Sequence, residues 1–159
     1  MSKGASRGFT LIEMLVTVTI VGLISTIAFP MLELVQRRNN ESELRSALRQ
    51  IRTAIDSYKQ AVDEGRIVEE NKGSGYPPSL DVLVNGVPDV KSANKGRMIY
   101  FLRKIPKDAT SKDPLDAPAR WGLRSYASPA NAPQAGADVF DVYSLTPGVG
   151  LSGVPYKDW

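Results

Sequence analysis

The chain has 159 residues, room for one modest core and an appendage, with 20 Lys and Arg against 17 Asp and Glu, a formal charge of +3. It contains no histidine and no cysteine, which excludes Ser-His-Asp and Cys-His catalysis, HExxH zinc sites, thiolate metal sites and disulfides. So weak a basic excess, without a clustered basic face, gives no electrostatic ground for a nucleic-acid partner.

The chain opens with "SRGFTLIEMLVTVTIVGLISTIAFP". Met14 to Leu32 is a run of 19 residues without a charge, close to the roughly 20 that a helix needs to cross a bilayer. Gly22 and Pro30 interrupt it; membrane helices accept both more readily than soluble ones do. Lys3 and Arg7 lie before the run, so the N-terminus is expected to stay in the cytoplasm while the rest crosses. A secretory signal would require a small-x-small cleavage site after the apolar stretch, and a cut after Ala28 would leave Phe29-Pro30 at the new terminus, an unfavourable site. A plain membrane anchor accounts for the length and leaves Glu13 unexplained. Placing a lone carboxylate in hydrocarbon costs on the order of 2.5–3.5 kcal/mol on insertion scales, so Glu13 implies a partner.

"RGFTLIEMLV" resembles the processing site of type IV pilins and of the pseudopilins of type II secretion. The resemblance implies cleavage by a prepilin peptidase between Gly8 and Phe9, N-methylation of Phe9, and Glu13 as the acid required for assembly. The leader is then residues 1–8, and 151 residues remain (159 minus 8), with 18 basic against 17 acidic. Cleavage creates a positive amine on Phe9, one helical turn from Glu13, whose charge also suits a helix N-terminus. In a stack of subunits, Glu13 of one copy is expected to pair with the Phe9 amine of the next, setting register by leaving misaligned neighbours with two unpaired charges. Gly22 and Pro30 are expected to mark a deliberate weak point at which the helix loosens when subunits pack.

Beyond Leu32 the composition changes and the helical period persists. Leu44, Ala47, Leu48, Ile51, Ala54, Ile55, Tyr58, Ala61 and Val62 follow the 3-4 spacing of an amphipathic helix, with Arg45, Arg49, Arg52, Asp56, Lys59 and Asp63 on the other face. Gly65 is the expected stop. One helix from Phe9 to Glu64 would be roughly 84 Å long, with 9–32 as its membrane-spanning and polymerising half and 33–64 as its amphipathic half. Arg37, Arg38, Glu41 and Glu43 sit where neighbouring heads would meet, as solvated charges or as pairs between subunits.

Residues 65–159 are expected to form a loop and β-sheet head. "SLDVLV" reads as a short helix starting near Ser79, with Leu80, Leu83 and Val84 inward and "NGVPD" closing it. "RMIYFLRKIP" reads as extended, and "ARWGLRSYAS" and "ADVFDVYSL" as two strands separated by "PANAPQAG". "TPGVGLSGVPYKDW" is expected to be an ordered tail, pinned by Tyr156 and Trp159. The fold class is therefore α+β: a long N-terminal helix, its first half membrane-spanning, packed on a small antiparallel sheet, as in pilins.

The order "YPPSLDVLV", "YFLRKIPKD", "RWGLRSYAS", "DVFDVYS" and "KDW" is similar to the major pseudopilin of type II secretion over essentially the whole chain. The absence of cysteine favours that branch, because many adhesive type IV pilins pin their C-terminal loop with a disulfide. The resemblance also implies a calcium ion in the loop after the "DVYS" strand. Calcium takes six to eight oxygens, with carboxylates supplying most of the charge. Here Pro147 stands where an acid is expected and Asp158 is the one carboxylate of the loop, so no strong calcium site is expected; Asp138 and Asp141 read as strand-end or surface residues.

The function expected from these features is that of a structural filament subunit, the major pseudopilin of a type II secretion system, with no catalytic residues, no metal and no cofactor. The alternatives are a type IV pilus subunit or a minor pseudopilin. Expected partners are further copies of the chain in a helical filament, the prepilin peptidase, the inner-membrane assembly platform, minor pseudopilins and the membrane, with no nucleic acid. The expected location is the bacterial inner membrane, single-pass with a cytoplasmic N-terminus, and a periplasmic or surface filament.

Overall fold

The computed structural model describes residues 8–68, 73–94, 96–111 and 121–159. The chain divides into two compact units, up to Asn39 and Asn40–Trp159, and helix α1 (Leu11–Asp63) contributes to both.

The first unit is helical from Leu11 onward, and α1 continues through Gly22 and Pro30. Leu11, Ile12, Leu15, Val18, Val21 and Leu23 are all at least 60% exposed. The hydroxyls in the run are turned back onto the preceding turn. Thr17 donates to the Met14 carbonyl at 2.9 Å, Thr19 to Leu15 at 2.7 Å, Ser25 to Val21 at 2.8 Å and Thr26 to Leu23 at 2.7 Å. A hydroxyl satisfied in this way is tolerated in an apolar medium.

The second unit is built on the amphipathic part of α1. Leu44, Ala47, Leu48, Ile51, Ala54, Ile55, Tyr58 and Ala61 are all buried, and Val62 packs at their margin; this is the stripe that the 3-4 spacing predicts. Gly65 ends the helix at φ +65°. Its N–H bonds the Val62 carbonyl at 2.8 Å, and the Arg66 N–H bonds that of Ala61, also at 2.8 Å. This is the paired closure that needs a left-handed residue, which glycine adopts without steric cost.

Helix α2 (Leu80–Asn85) follows, with Leu80 and Leu83 buried and Val84 partly so. Strand β1 (Val87–Pro88) pairs antiparallel with β2 (Met98–Ile99), and β3 (Trp121–Arg124) with β4 (Asp141–Ser144). Two points differ from the sequence expectation. The turn read in "NGVPD" contains a strand, and among the described residues the four strands pair as two separate two-stranded ladders, with a lone antiparallel bridge between Val149 and Pro155 in the tail. The second follows from where the backbone donors go. The Phe101 and Leu102 N–H groups both bond the Leu83 carbonyl, at 3.0 and 2.9 Å, so "RMIYFLRKIP" leaves strand geometry after Ile99 to close the end of α2. Ala119 and Arg120, at the start of the expected "ARWGLRSYAS" strand, lie outside the described residues.

The core joins the α1 stripe to Trp121, Val139, Val142, Ile105 and Tyr156. Trp121 donates its indole N–H to the Pro106 carbonyl at 3.0 Å, giving a large buried ring the polar partner it requires. Tyr58 meets Phe101 edge-on at 5.5 Å.

Candidate processing and assembly site

The residues at the start of the described chain form a defined local structure. Gly8 is exposed with no atom within 4 Å of where a Cβ would stand, and Phe9 is 76% exposed. α1 then begins with a reciprocal pair. The Glu13 N–H donates to Thr10 Oγ1 at 3.3 Å, and the Thr10 N–H donates to Glu13 Oε2 at 3.4 Å. These long bonds have the connectivity of a capping box, in which a Thr and a Glu three residues on satisfy two backbone donors that a helix start otherwise leaves orphaned.

Within the protomer, therefore, Glu13 caps its own helix, and its carboxylate lies at the positive end of the helix dipole. The spacing Thr-x-x-Glu was present in the sequence and carries this signal; the sequence reading gave Glu13 only an intermolecular partner. The structure brings Thr10 and Glu13 together beside Phe9. Gly22 and Pro30 lie further along the same helix and join no cluster; the residues before Gly8, Lys3 and Arg7 included, lie outside the described residues.

The C-terminal tail, where the resemblance implies calcium, is organised around carboxylates from other parts of the chain. Asp108 is buried and accepts through both oxygens. Thr110 N–H and Oγ1 donate to Oδ1, at 2.8 and 2.5 Å, and Ser144 and Thr146 hydroxyls donate to Oδ2, the latter at 3.1 Å. Glu41, 5% exposed, accepts at Oε1 from the Leu151 N–H at 2.9 Å and from the Tyr156 hydroxyl at 3.0 Å. This corrects the expectation that placed Glu41 among surface charges where heads would meet.

Asp141 is gripped by Arg52 at 2.7 Å and Arg124 at 3.2 Å. Arg52 also donates to the backbone oxygens of Val142 at 3.0 Å and Trp159 at 2.7 Å. Asp158 lines a groove of about 370 Å³ together with Arg45, Arg49 and Arg52. Asp138 flanks β4 as expected but is buried. Burial opposes its ionisation, yet hydrogen bonds from Ser74, the Tyr126 N–H and Ser125 outweigh that and hold its carboxyl below the usual carboxylate range. Among the described residues no three acids come together in a group that could hold a metal ion.

Comparison with known proteins bears on the N-terminal site first. Residues 3–29 match the prokaryotic N-terminal methylation motif. Over a much longer stretch, 142 residues, the chain is 25% identical to the type II secretion system core protein G of Aeromonas hydrophila, covering 87% of this chain and 92% of that protein. The chain fits the pilin and pseudopilin family. It is also 36% identical over 64 residues to the type IV major fimbrial protein FimA of Dichelobacter nodosus, covering 40% of this chain and 41% of that one. To the type IV major pilin protein PilA of Myxococcus xanthus it is 40% identical over 53 residues, 33% of this chain and 24% of that one. No solved structure gives a significant match. The α+β architecture of a long N-terminal helix with small antiparallel sheets is consistent with a pilin-like fold, and α1 is long and apolar enough to cross a membrane.

Proposed function

We propose that this chain is the main-shaft subunit of a type II secretion pseudopilus. It is held in the inner membrane by residues 9–32 with its N-terminus in the cytoplasm, cut between Gly8 and Phe9 by a prepilin peptidase, methylated on Phe9, and assembled by an inner-membrane platform into a periplasmic filament with minor pseudopilins. It is a structural part, and the work of assembly is done by the machine that polymerises it. Three observations support main-shaft membership of that system. The match to core protein G runs over 87% of the chain, the pilin matches run over 40% or less, and there is no cysteine for a pilin-type disulfide. A type IV pilus subunit is the second reading, favoured by the higher identity of those shorter matches.

The observation that carries the assembly role is an apolar helix whose described large side chains from Leu11 to Ile24 are exposed, with one carboxylate at its first turn. Such a surface is covered by lipid or by identical helices. The carboxylate lies one turn from where the new amine forms, so the capping box is the resting arrangement. On assembly Glu13 exchanges Thr10 for the Phe9 amine of a neighbour, a charged partner in place of a neutral one. Gly22 and Pro30 are where the helix, continuous in the protomer, gives way on packing; each weakens a helix interior.

The test separates capping from charge. Glu13→Gln keeps a side chain that can complete the capping box and removes the charge, whereas Thr10→Ala removes the hydroxyl and keeps the charge. Filament yield is expected to collapse in Glu13→Gln and Glu13→Ala, with the subunit still in the membrane fraction, and to persist in Thr10→Ala. Normal filaments from Glu13→Ala would sink the assembly role.

A further inference from the structure

We infer that the C-terminal tail of this subunit is latched by a carboxylate of its own helix, Glu41, in the role that the family resemblance assigns to a calcium ion. The tail after β4 contributes one acid, Asp158, far short of the oxygen set a calcium ion requires. The other acids close to it are already committed to donors or to cations. Both oxygens of Asp108 face N–H or O–H groups. Asp141 lies between two guanidiniums, and Asp158 shares its groove with three; a divalent cation placed at either would meet like charge. Glu41 Oε1 faces a backbone N–H, a donor that cannot turn away to admit a metal. The donor set does not fit the ion.

What these groups do instead is complete. Ser144 and Thr146 fasten the start of the tail to Asp108. Glu41 fastens the middle at the Leu151 N–H and the end at the Tyr156 hydroxyl, across 110 and 115 residues of sequence. Arg52 holds the Trp159 backbone oxygen. Inside this frame the tail closes on itself. The Gly150 N–H bonds the Val154 carbonyl at 2.8 Å, and the Trp159 indole N–H bonds the same carbonyl at 3.1 Å. Gly150 leaves the space that Trp159 fills, since a Cβ there would stand 2.3 Å from Trp159 Cζ2. A buried carboxylate receiving two donors is a strong, directional tie, and losing it leaves both donors unsatisfied. The latch belongs to the protomer, so it stands or falls independently of whether the chain forms a pseudopilus.

The experiment uses the full-length detergent-solubilised chain and follows hydrogen exchange of the Leu151 amide together with the melting midpoint, in EDTA and in millimolar calcium chloride. The wild-type values are expected to be the same in both solutions. Glu41→Ala is expected to lose about tenfold or more of the Leu151 protection, the loss of a charge-assisted bond read as an equilibrium. Tyr156→Phe, which removes one hydroxyl and no packing, is expected to fold normally and lower protection of the tail alone, so the latch remains testable even if Glu41→Ala unfolds. Calcium raising the wild-type midpoint by several degrees, or Leu151 protection unchanged in a folded Glu41→Ala chain, would overturn the inference.

Discussion

Glu13, Glu41, Asp89 and Asp108 are four carboxylates whose fates are set by what stands within hydrogen-bond distance. The cap made by Glu13 was legible in the Thr10-x-x-Glu13 spacing, although the sequence reading looked for its partner on another copy. Glu41 and Asp108 were not legible. The donors to Glu41 lie 110 and 115 residues away, and Asp108 takes Ser144 and Thr146 from 36 and 38 residues away in addition to Thr110 beside it; a helical period alone cannot distinguish a buried acid from a solvated one.

Replacing Asp108 by alanine strands the Ser144 and Thr110 donors in a buried site, which costs about 1–3 kcal/mol per orphaned group. Urea denaturation should show that loss, with Asp108→Asn restoring part of it. Asp89 makes a pH-dependent contribution. The Arg66 guanidinium at 2.7 Å holds its carboxyl below the usual range, against the opposing effect of burial. A depressed folded-state pKa gives stability that is fully present above the unfolded value near 3.8 and lost as pH falls through the folded one. Asp89→Asn should therefore lower stability at neutral pH and flatten the acid limb of the stability curve, measured by denaturation between roughly pH 2 and 5.

At the level of elements, α1 was readable almost to its ends, Leu11–Asp63 against an expected 9–64, because a long uniform period and a terminal glycine are strong local signals. Ile51, fully buried at the centre of its stripe, should cost about 2–5 kcal/mol when cut to alanine, read as a shift in the denaturant midpoint. α2 and the β3–β4 hairpin were legible for similar reasons. β1 was not, since two residues before an aspartate and containing a proline carry no alternation to read. The division into two ladders was equally hidden, because it depends on Leu83 accepting bonds from Phe101 and Leu102.

In the β3–β4 ladder Gly122 faces Tyr143, whose ring lies where a side chain would be, 2.2 Å from an added Cβ. Gly122→Val should push that ring aside and lower the melting midpoint by several degrees, while Tyr143→Ala in the same background should recover part of the loss as the clash is removed.

For the whole molecule, the decisive contrast is between a head with a satisfied interior and an N-terminal helix with none. The large apolar side chains from Leu44 to Ala61 are buried within the chain, whereas those from Leu11 to Ile24 are exposed. The tail latch fits that satisfied interior, because a subunit whose loop is ordered from within needs no ion to be ready for assembly. The proposed assembly role, unlike the tail latch, rests on one covalent event, cleavage of the Gly8–Phe9 bond to free an amine that Glu13 could meet.

The most direct test of the account is the intact mass and N-terminal peptide mass of the chain purified from a membrane containing an active prepilin peptidase. A mature chain of 151 residues (159 minus 8) beginning at N-methylated Phe9 is the predicted result. A chain still beginning at Met1 would contradict it and reduce α1 to a plain anchor.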